Sequence, residues 1–361
     1  LADGYSALDK VLHQVALQSY AMRNLTFDLE VSVSGADAAR SLRRPHVFIT
    51  GLARAGTTML LRLLYSTQSF VTLSYRDMPF VLAPGLWGKL TRGHQHAQAL
   101  SERAHGDGVQ VGFDSPEAFE EVFWLTFTGD DYVRADRLLA YVVEDGVIER
   151  FRRYVDAIVQ AKDEGRQHRY LSKNNNNLLR LDALSRAFPN ADIVIPFRNP
   201  YDHAASLLQQ HQRFCTMHRD DRFALRYMNW LGHFEFGANQ RPLDFGAVAT
   251  LAHAGAPTAI DYWIAYWTQV YSAVLERAPD AMLFLDFDAL CERPDLVLKA
   301  LATGLKLDHT ALVQRAGEIG PAKHYAGAEA GNGALLARAA DVYEALRSRA
   351  VGAALPRRSG K

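Results

Sequence analysis

Three short stretches of the chain carry side chains suited to holding and moving a charged group. The first is Val47-Phe-Ile-Thr-Gly51-Leu-Ala-Arg54-Ala-Gly56-Thr57-Thr58, a buried-strand pattern running into a glycine-bounded turn and an amphipathic helix. The first N–H groups of such a helix have no internal partner, and with the helix dipole they favour a tetrahedral oxyanion at the turn. Gly51 and Gly56 allow the close backbone approach this requires. The spacing Gly-x4-Gly-Thr-Thr differs from the nucleotide-binding Gly-x4-Gly-Lys-Ser/Thr at the position of the phosphate-gripping lysine, where Thr57 stands. Positive charge sits inside the turn instead, at Arg54, whose guanidinium can fork onto a phosphate or sulfate.

The second stretch is Lys173 at the mouth of a short strand, Arg169-Tyr-Leu-Ser172, followed by Asn174 to Asn177. It is a candidate active-site edge, and a solvated charge before a turn and helix cap is the reading that stays open beside it. In the third, the apolar run Asp192 to Phe197 ends in Arg198-Asn199-Pro200, and Pro200 starts a helix containing His203 and Ser206. Around these lie the elements that must position them. Ser69 to Tyr75 predicts a second strand closed by Arg76-Asp77-Met-Pro79, and Asp77 reads equally as a turn or cap residue. The segment from about 84 to 112 has no period and reads as a loop or lid, with His94, His96 and His105 solvated. Asp114-Ser-Pro116-Glu117 has the spacing of a capping box opening a helix that carries Glu120 and Glu121. Helices are expected over about 147–162, 178–188 and 260–278, and a buried strand over 281–286. The basic and aromatic segment from His211 to about Ala256 suits a cover over an acceptor or an ordinary amphipathic helix. This alternation predicts an α/β protein with a P-loop-like three-layer fold, its central and mostly parallel sheet flanked by helices.

At the Arg54 turn the chain resembles the sulfotransferases that use 3'-phosphoadenosine 5'-phosphosulfate (PAPS), above all the tyrosylprotein type and related bacterial enzymes. Their phosphosulfate loop commonly reads Pro-Arg/Lys-Ser-Gly-Thr-Thr, so Ala53 and Ala55 are departures, the second removing a hydroxyl. The resemblance covers about residues 44 to 345. It implies that Arg54, Ala55, Gly56, Thr57 and Thr58 bind the phosphosulfate, that Arg198 and Ser206 grip the 3'-phosphate, and that Arg54 and Lys173 are catalytic. It also implies a carboxylate base just past the second strand, where Asp77 stands; Glu117, Glu120, Glu121 and His203 compete for that role. Lys323-His324-Tyr325 lies where the family places a last cofactor-contacting loop, although the Arg-Lys-Gly-x-x-Gly pattern of many members is absent. The implied reaction moves a sulfuryl group from PAPS to a hydroxyl or amine of a small-molecule, glycan, lipid or peptide acceptor.

Composition bounds the remaining choices. A chain of 361 residues, 48% hydrophobic, buries a large core, and the pattern divides it into a helical lead-in (1–40), one domain (41–347), which the resemblance implies is a sulfotransferase domain, and a disordered tail (348–361). Zero formal net charge gives no bulk field for nucleic acid or an anionic membrane, so any anion site is local. Two cysteines, Cys215 and Cys291, without metal-ligand spacing fit a reducing compartment. No apolar run reaches transmembrane length, and Leu1 to Tyr5 shows no basic-then-apolar leader, which together predict a cytoplasmic protein. No site calls for a metal. Two other classes stay open: a kinase, which needs a loop lysine and a Mg²⁺-holding acid for which Asp286 is the candidate, and a non-catalytic nucleotide-binding protein.

Overall fold

The computed structural model describes residues 7–91, 101–102, 110–111, 115–279, 282–327 and 332–353. Among them, five strands form one parallel sheet: β1 (Val47–Ile49), β2 (Phe70–Val71), β3 (Arg169–Lys173), β4 (Asp192–Phe197) and β5 (Leu283–Asp286), in the order β2-β3-β1-β4-β5. Parallel neighbours need crossover connections, and helices supply them. Both faces of the sheet are therefore covered, which is why its strands read as unbroken apolar runs and not as alternating ones.

Alternation survives in which face each side chain serves. Phe48, Tyr170, Ile193, Ile195 and Phe284 join one cluster, with Phe123, Phe151, Trp263 and Trp267 from the helices on that side. Val47, Ile49, Leu171, Val194 and Leu285 join the other, with Leu60, Leu61, Leu64, Leu298 and Leu301. Each fully buried Leu or Phe contributes roughly 1.5–3 kcal/mol of transfer free energy, so the sheet is the rigid part of the molecule on which loops can be aimed.

Its centre is the strand from which the chain departs in both directions. From β1 the chain crosses to the β2 edge, returns through β3 and then passes over β1 to β4 and β5. In open parallel sheets the crevice beyond the strand ends at such a reversal is where ligands bind.

The expected helical lead-in forms two helices, Ala7–Gln18 and Tyr20–Ser34, the second capped by Ser19 and ended by Gly35 in the left-handed region. Phe27 packs edge-on against Phe127, and Glu30 accepts the N–H groups of Gly85 and Leu86 at the start of the Pro84–Thr91 helix. That helix stands at the front of the segment expected as a loop; His94, His96, His105 and Asp114 lie outside the described residues. At the other end, the helix Gly333–Arg349 continues past residue 348, and Val351 donates its N–H to Phe284 on β5. Residues 348–353 thus extend the packed chain where a tail was expected, because Leu346 and Ala339 anchor their helix in the core. No described helix is long and apolar enough to cross a membrane.

Candidate active site

Four neighbouring strand ends and one late segment converge on a single cavity of about 310 Å³. Arg54, Gly56, Thr57 and Thr58 arrive after β1, Lys173 and Asn175 from the end of β3, Arg198 from the end of β4, Phe287 after β5, and Lys323 from the C-terminal segment.

The turn after β1 is built by steric exclusion. A side chain at Gly51 would come 2.8 Å from the Pro196 carbonyl, and one at Gly56 would come 2.3 Å from the Phe287 ring. Gly56 also has φ +84°, where glycine alone is comfortable. Arg54 sits in the left-handed region as well, at φ +73°, a conformation that costs an arginine about 1–2 kcal/mol. Ala55 is wholly buried beneath the turn, and its N–H donates to Leu52 at 3.3 Å. A serine at this position would have to bury its hydroxyl. The helix Thr57–Tyr65 begins directly after Gly56, which has no side chain to cap it.

Ser206 lies against the turn, accepting a hydrogen bond from Arg54 Nε at 3.3 Å. Arg198 is almost fully buried; it donates through Nη2 to the Lys323 carbonyl and pairs with Asp288 only at 3.5 Å. Asp288 is itself engaged by the N–H of Asn199 at 2.6 Å, and burial raises its carboxyl above the usual range. The Lys323 ammonium lies 4.7 Å from the Tyr325 ring centre, and His324 pairs with Asp202 at 2.7 Å. Those contacts fix the late segment to the start of the Pro200–Asp220 helix.

The asparagine run is a four-way tie. Asn174 donates to Glu121 (2.7 Å), Asn175 to Glu235 (3.0 Å), Asn176 to the Gly232 carbonyl (3.1 Å) and Asn177 to Glu120 (2.9 Å). It therefore links the end of β3 to both segments forming the opposite wall. Asn174 also caps the following turn through Asn176 N–H, as the local reading of a turn and cap expects.

The acids expected to compete for a base separate cleanly by environment. Asp77 is buried away from the cavity lining: it accepts the Ser74 N–H at 2.7 Å in a capping box and pairs with Lys162 at 2.8 Å. Glu120 is consumed by Trp124, Tyr170 and Asn177. Glu121 holds the fully buried Arg180 and also accepts from Tyr132 at 2.5 Å. Glu117 is the one of this set that lines the cavity. It precedes its helix, which starts at Glu121, because the N–H of Glu117 donates to Leu73 and Pro116 bridges to Ser74. The capping-box reading of Glu117 is thus replaced by an extended segment paired to the chain beyond β2. Its carboxylate accepts from the Tyr75 hydroxyl at 3.2 Å and from the Ala118 N–H at 2.9 Å.

His203 is not at the cavity surface. Fully buried, it accepts from Trp267 Nε1 at 3.0 Å and faces the Ala53 carbonyl at 2.8 Å; burial drives its imidazole down to about 3. Sequence reasoning did not single out Glu235, Met228 or Phe236, which complete the wall beside Glu117, or assign His233 a place there. They come from the basic and aromatic stretch whose arginines 213, 219, 222 and 226 face solvent. The conspicuous charges pointed outwards, so no local signal marked the inward ones. Asp286, the candidate metal-holding acid, caps the helix Phe287–Glu292 and pairs with Arg347 at 3.4 Å.

The parallel sheet thus delivers several cationic side chains and the start of a helix to one crevice. The model of the Sulfotransferase family matches residues 45–311, and the chain belongs to that family. It is a sulfotransferase. Its structure is similar to that of sulfotransferase STF9 from Mycobacterium avium, with a TM-score of 0.51 at 15% identity over 95% of this chain and 84% of that one. It is also similar to sulfotransferase STF1 from Mycobacterium tuberculosis H37Rv (0.48, 15%, covering 97% and 88%) and to a sulfotransferase from Alicyclobacillus acidocaldarius (0.39, 16%, covering 86% and 96%). The first of these likenesses supports the shared fold. No curated protein matches the chain in sequence.

Proposed function

We propose that the protein transfers the sulfuryl group of PAPS to a hydroxyl or amine acceptor by in-line displacement, with Glu117 as the base. The observation that carries this reading is the set of charged side chains that share one cavity. Arg54, Lys173, Arg198 and Lys323 line it with the start of the Thr57–Tyr65 helix, and so do Glu117, Glu235, His233, Met228 and Phe236. A donor carrying a phosphosulfate and a second phosphate fits the cationic set.

When bound, the donor supplies the sulfuryl group and a phosphate leaving group. Arg54 and the N–H groups of Gly56 to Thr58 would hold the phosphosulfate, and Arg198, with Ser206 behind Arg54, the 3'-phosphate. Arg54 and Lys173 oppose the negative charge that grows on the leaving oxygen, each preorganised donor being worth roughly 10²–10³ in rate. Glu117 takes the proton of the acceptor, its carboxylate held by Tyr75 and Ala118 in a fixed orientation. Glu235, tied by Asn175, adds negative charge beside the acceptor and so favours a neutral or cationic molecule.

The direct test is transfer from labelled PAPS to a panel of hydroxylated and amino acceptors. Arg54→Ala is expected to lower the rate by roughly 10²–10³ while the protein stays folded. A folded Arg54→Ala protein with full activity, or the absence of PAPS-dependent transfer and of binding to its product, would overturn the reading.

A further inference from the structure

We infer that His203 is a positioning residue that locks the peptide between Ala53 and Arg54 in the one orientation able to receive the donor's phosphosulfate. The inference rests on the proposed donor and on a chain of three groups, of which Trp267 and His203 are fully buried. Trp267 Nε1 can only donate, and it donates to His203 Nδ1 at 3.0 Å. The imidazole is neutral, since burial and the nearby Arg198 and Arg54 all oppose a charge on it. Its single proton must then lie on Nε2, which donates to the Ala53 carbonyl at 2.8 Å.

That bond has a consequence on the other side of the peptide. In a trans peptide the carbonyl and the following N–H point in opposite directions. Drawing the Ala53 carbonyl down to His203, beneath the turn, directs the Arg54 N–H to the side on which Ala53 and Arg54 line the cavity. If the plane turned over, a carbonyl oxygen would face the bound anion and repel it. Arg54 is the residue that makes such a turn costly to hold, because its φ of +73° is disfavoured for any side chain. His203 supplies the counterweight from the first turn of the Pro200–Asp220 helix, one turn before Ser206. Trp267, from the helix Ile260–Arg277, sets the tautomer. Neither His203 nor Trp267 lines the cavity.

The test reads donor-side binding and needs no acceptor. Adenosine 3',5'-bisphosphate engages the turn through its 5'-phosphate, whereas adenosine 3'-phosphate does not, so calorimetry with both ligands separates the turn from the 3'-phosphate site. His203→Phe should weaken the bisphosphate by about tenfold or more, as expected for a misdirected charge-assisted bond, and leave adenosine 3'-phosphate unchanged. His203→Gln, which keeps a donor at nearly the Nε2 position, should recover most of that loss. Equal weakening of both ligands, unchanged bisphosphate affinity in His203→Phe, or failure of Gln to recover it would overturn the inference. If the wild-type protein binds neither ligand, the donor assignment itself fails. Should His203→Phe not fold, ¹⁵N imidazole shifts of the wild-type protein decide the matter: an Nε2-protonated neutral ring is expected, and an Nδ1-protonated ring overturns the inference.

Discussion

Replacing Glu117 by Gln removes a proton acceptor and almost nothing else. The amide oxygen can still accept from the Ala118 N–H, and the amide nitrogen can donate to the Tyr75 oxygen, which serves as donor or acceptor. Stability should therefore change by no more than about 1 kcal/mol. Loss of general-base catalysis is worth about 10²–10⁴ in kcat, or about 2.7–5.4 kcal/mol of barrier at 1.36 kcal/mol per decade. Affinity for adenosine 3',5'-bisphosphate should stay within about threefold, because the cationic set that would hold it is untouched. The assay is initial-rate transfer from labelled PAPS to two acceptors, an alcohol and a phenol already ionised at the assay pH. The alcohol should suffer the full loss and the phenolate little, since it has no proton to give up. Asp77→Asn serves as the control: it removes the buried charge paired with Lys162, and should lower the melting temperature while leaving kcat nearly intact. An unchanged kcat for the alcohol in Glu117→Gln, or equal losses for both acceptors, would refute the assignment. A large kcat loss in folded Asp77→Asn would return the role to Asp77.

In a thermal-shift assay, adenosine 3',5'-bisphosphate should raise the melting temperature more than adenosine 5'-phosphate does, and Arg198→Ala should erase most of the difference, a charge-assisted bond being worth about 1.5–3 kcal/mol; equal shifts in the wild-type protein would dissociate Arg198 from the 3'-phosphate. Acid should destabilise the fold through its buried neutral histidines. Burial lowers His203 to about 3 and His46 to about 4, so below about 6.5 the unfolded chain takes up protons that the folded chain refuses. Stability from each group is complete above 6.5 and falls by about 1.4 kcal/mol per pH unit down to its folded value; urea melts between pH 7 and 5 should show the slope, and His203→Gln should flatten it by that amount. Among phenols bearing an ammonium, methyl or carboxylate tail of equal length, the carboxylate should react several-fold more slowly, and Glu235→Gln should narrow the gap, since like charges near a partly buried site cost about 1 kcal/mol or more; a gap unaffected by that substitution would remove Glu235 from the acceptor end.

What was legible in the sequence is what local chemistry dictates. The run Val47 to Ile49, the glycines at 51 and 56 and the apolar stripe of the Thr57–Tyr65 helix specify a strand, a glycine-bounded turn and a helix without outside help, because backbone sterics and the helix period are properties of neighbouring residues. The same holds for Asp192–Phe197 with Arg198 at its end and Pro200 opening the next helix. Strand order was not legible, nor which acid faces the cavity. Asp77, Glu117, Glu120 and Glu121 are alike in type and lie within 45 residues, yet one caps a turn, two are consumed by buried donors 50 or more residues away, and one lines the cavity. Partners such as Tyr170 for Glu120 and Arg180 for Glu121 are supplied by chain that only the tertiary fold brings near. The same reason hid Glu235 and made His203 look like a candidate base: a titratable group's role depends on what surrounds it in space, and burial against Trp267 and Ala53 turns this histidine into a neutral partner beneath the turn after β1. Sequence alone determined the chemistry of the cationic turn; packing decided which side chains complete the site.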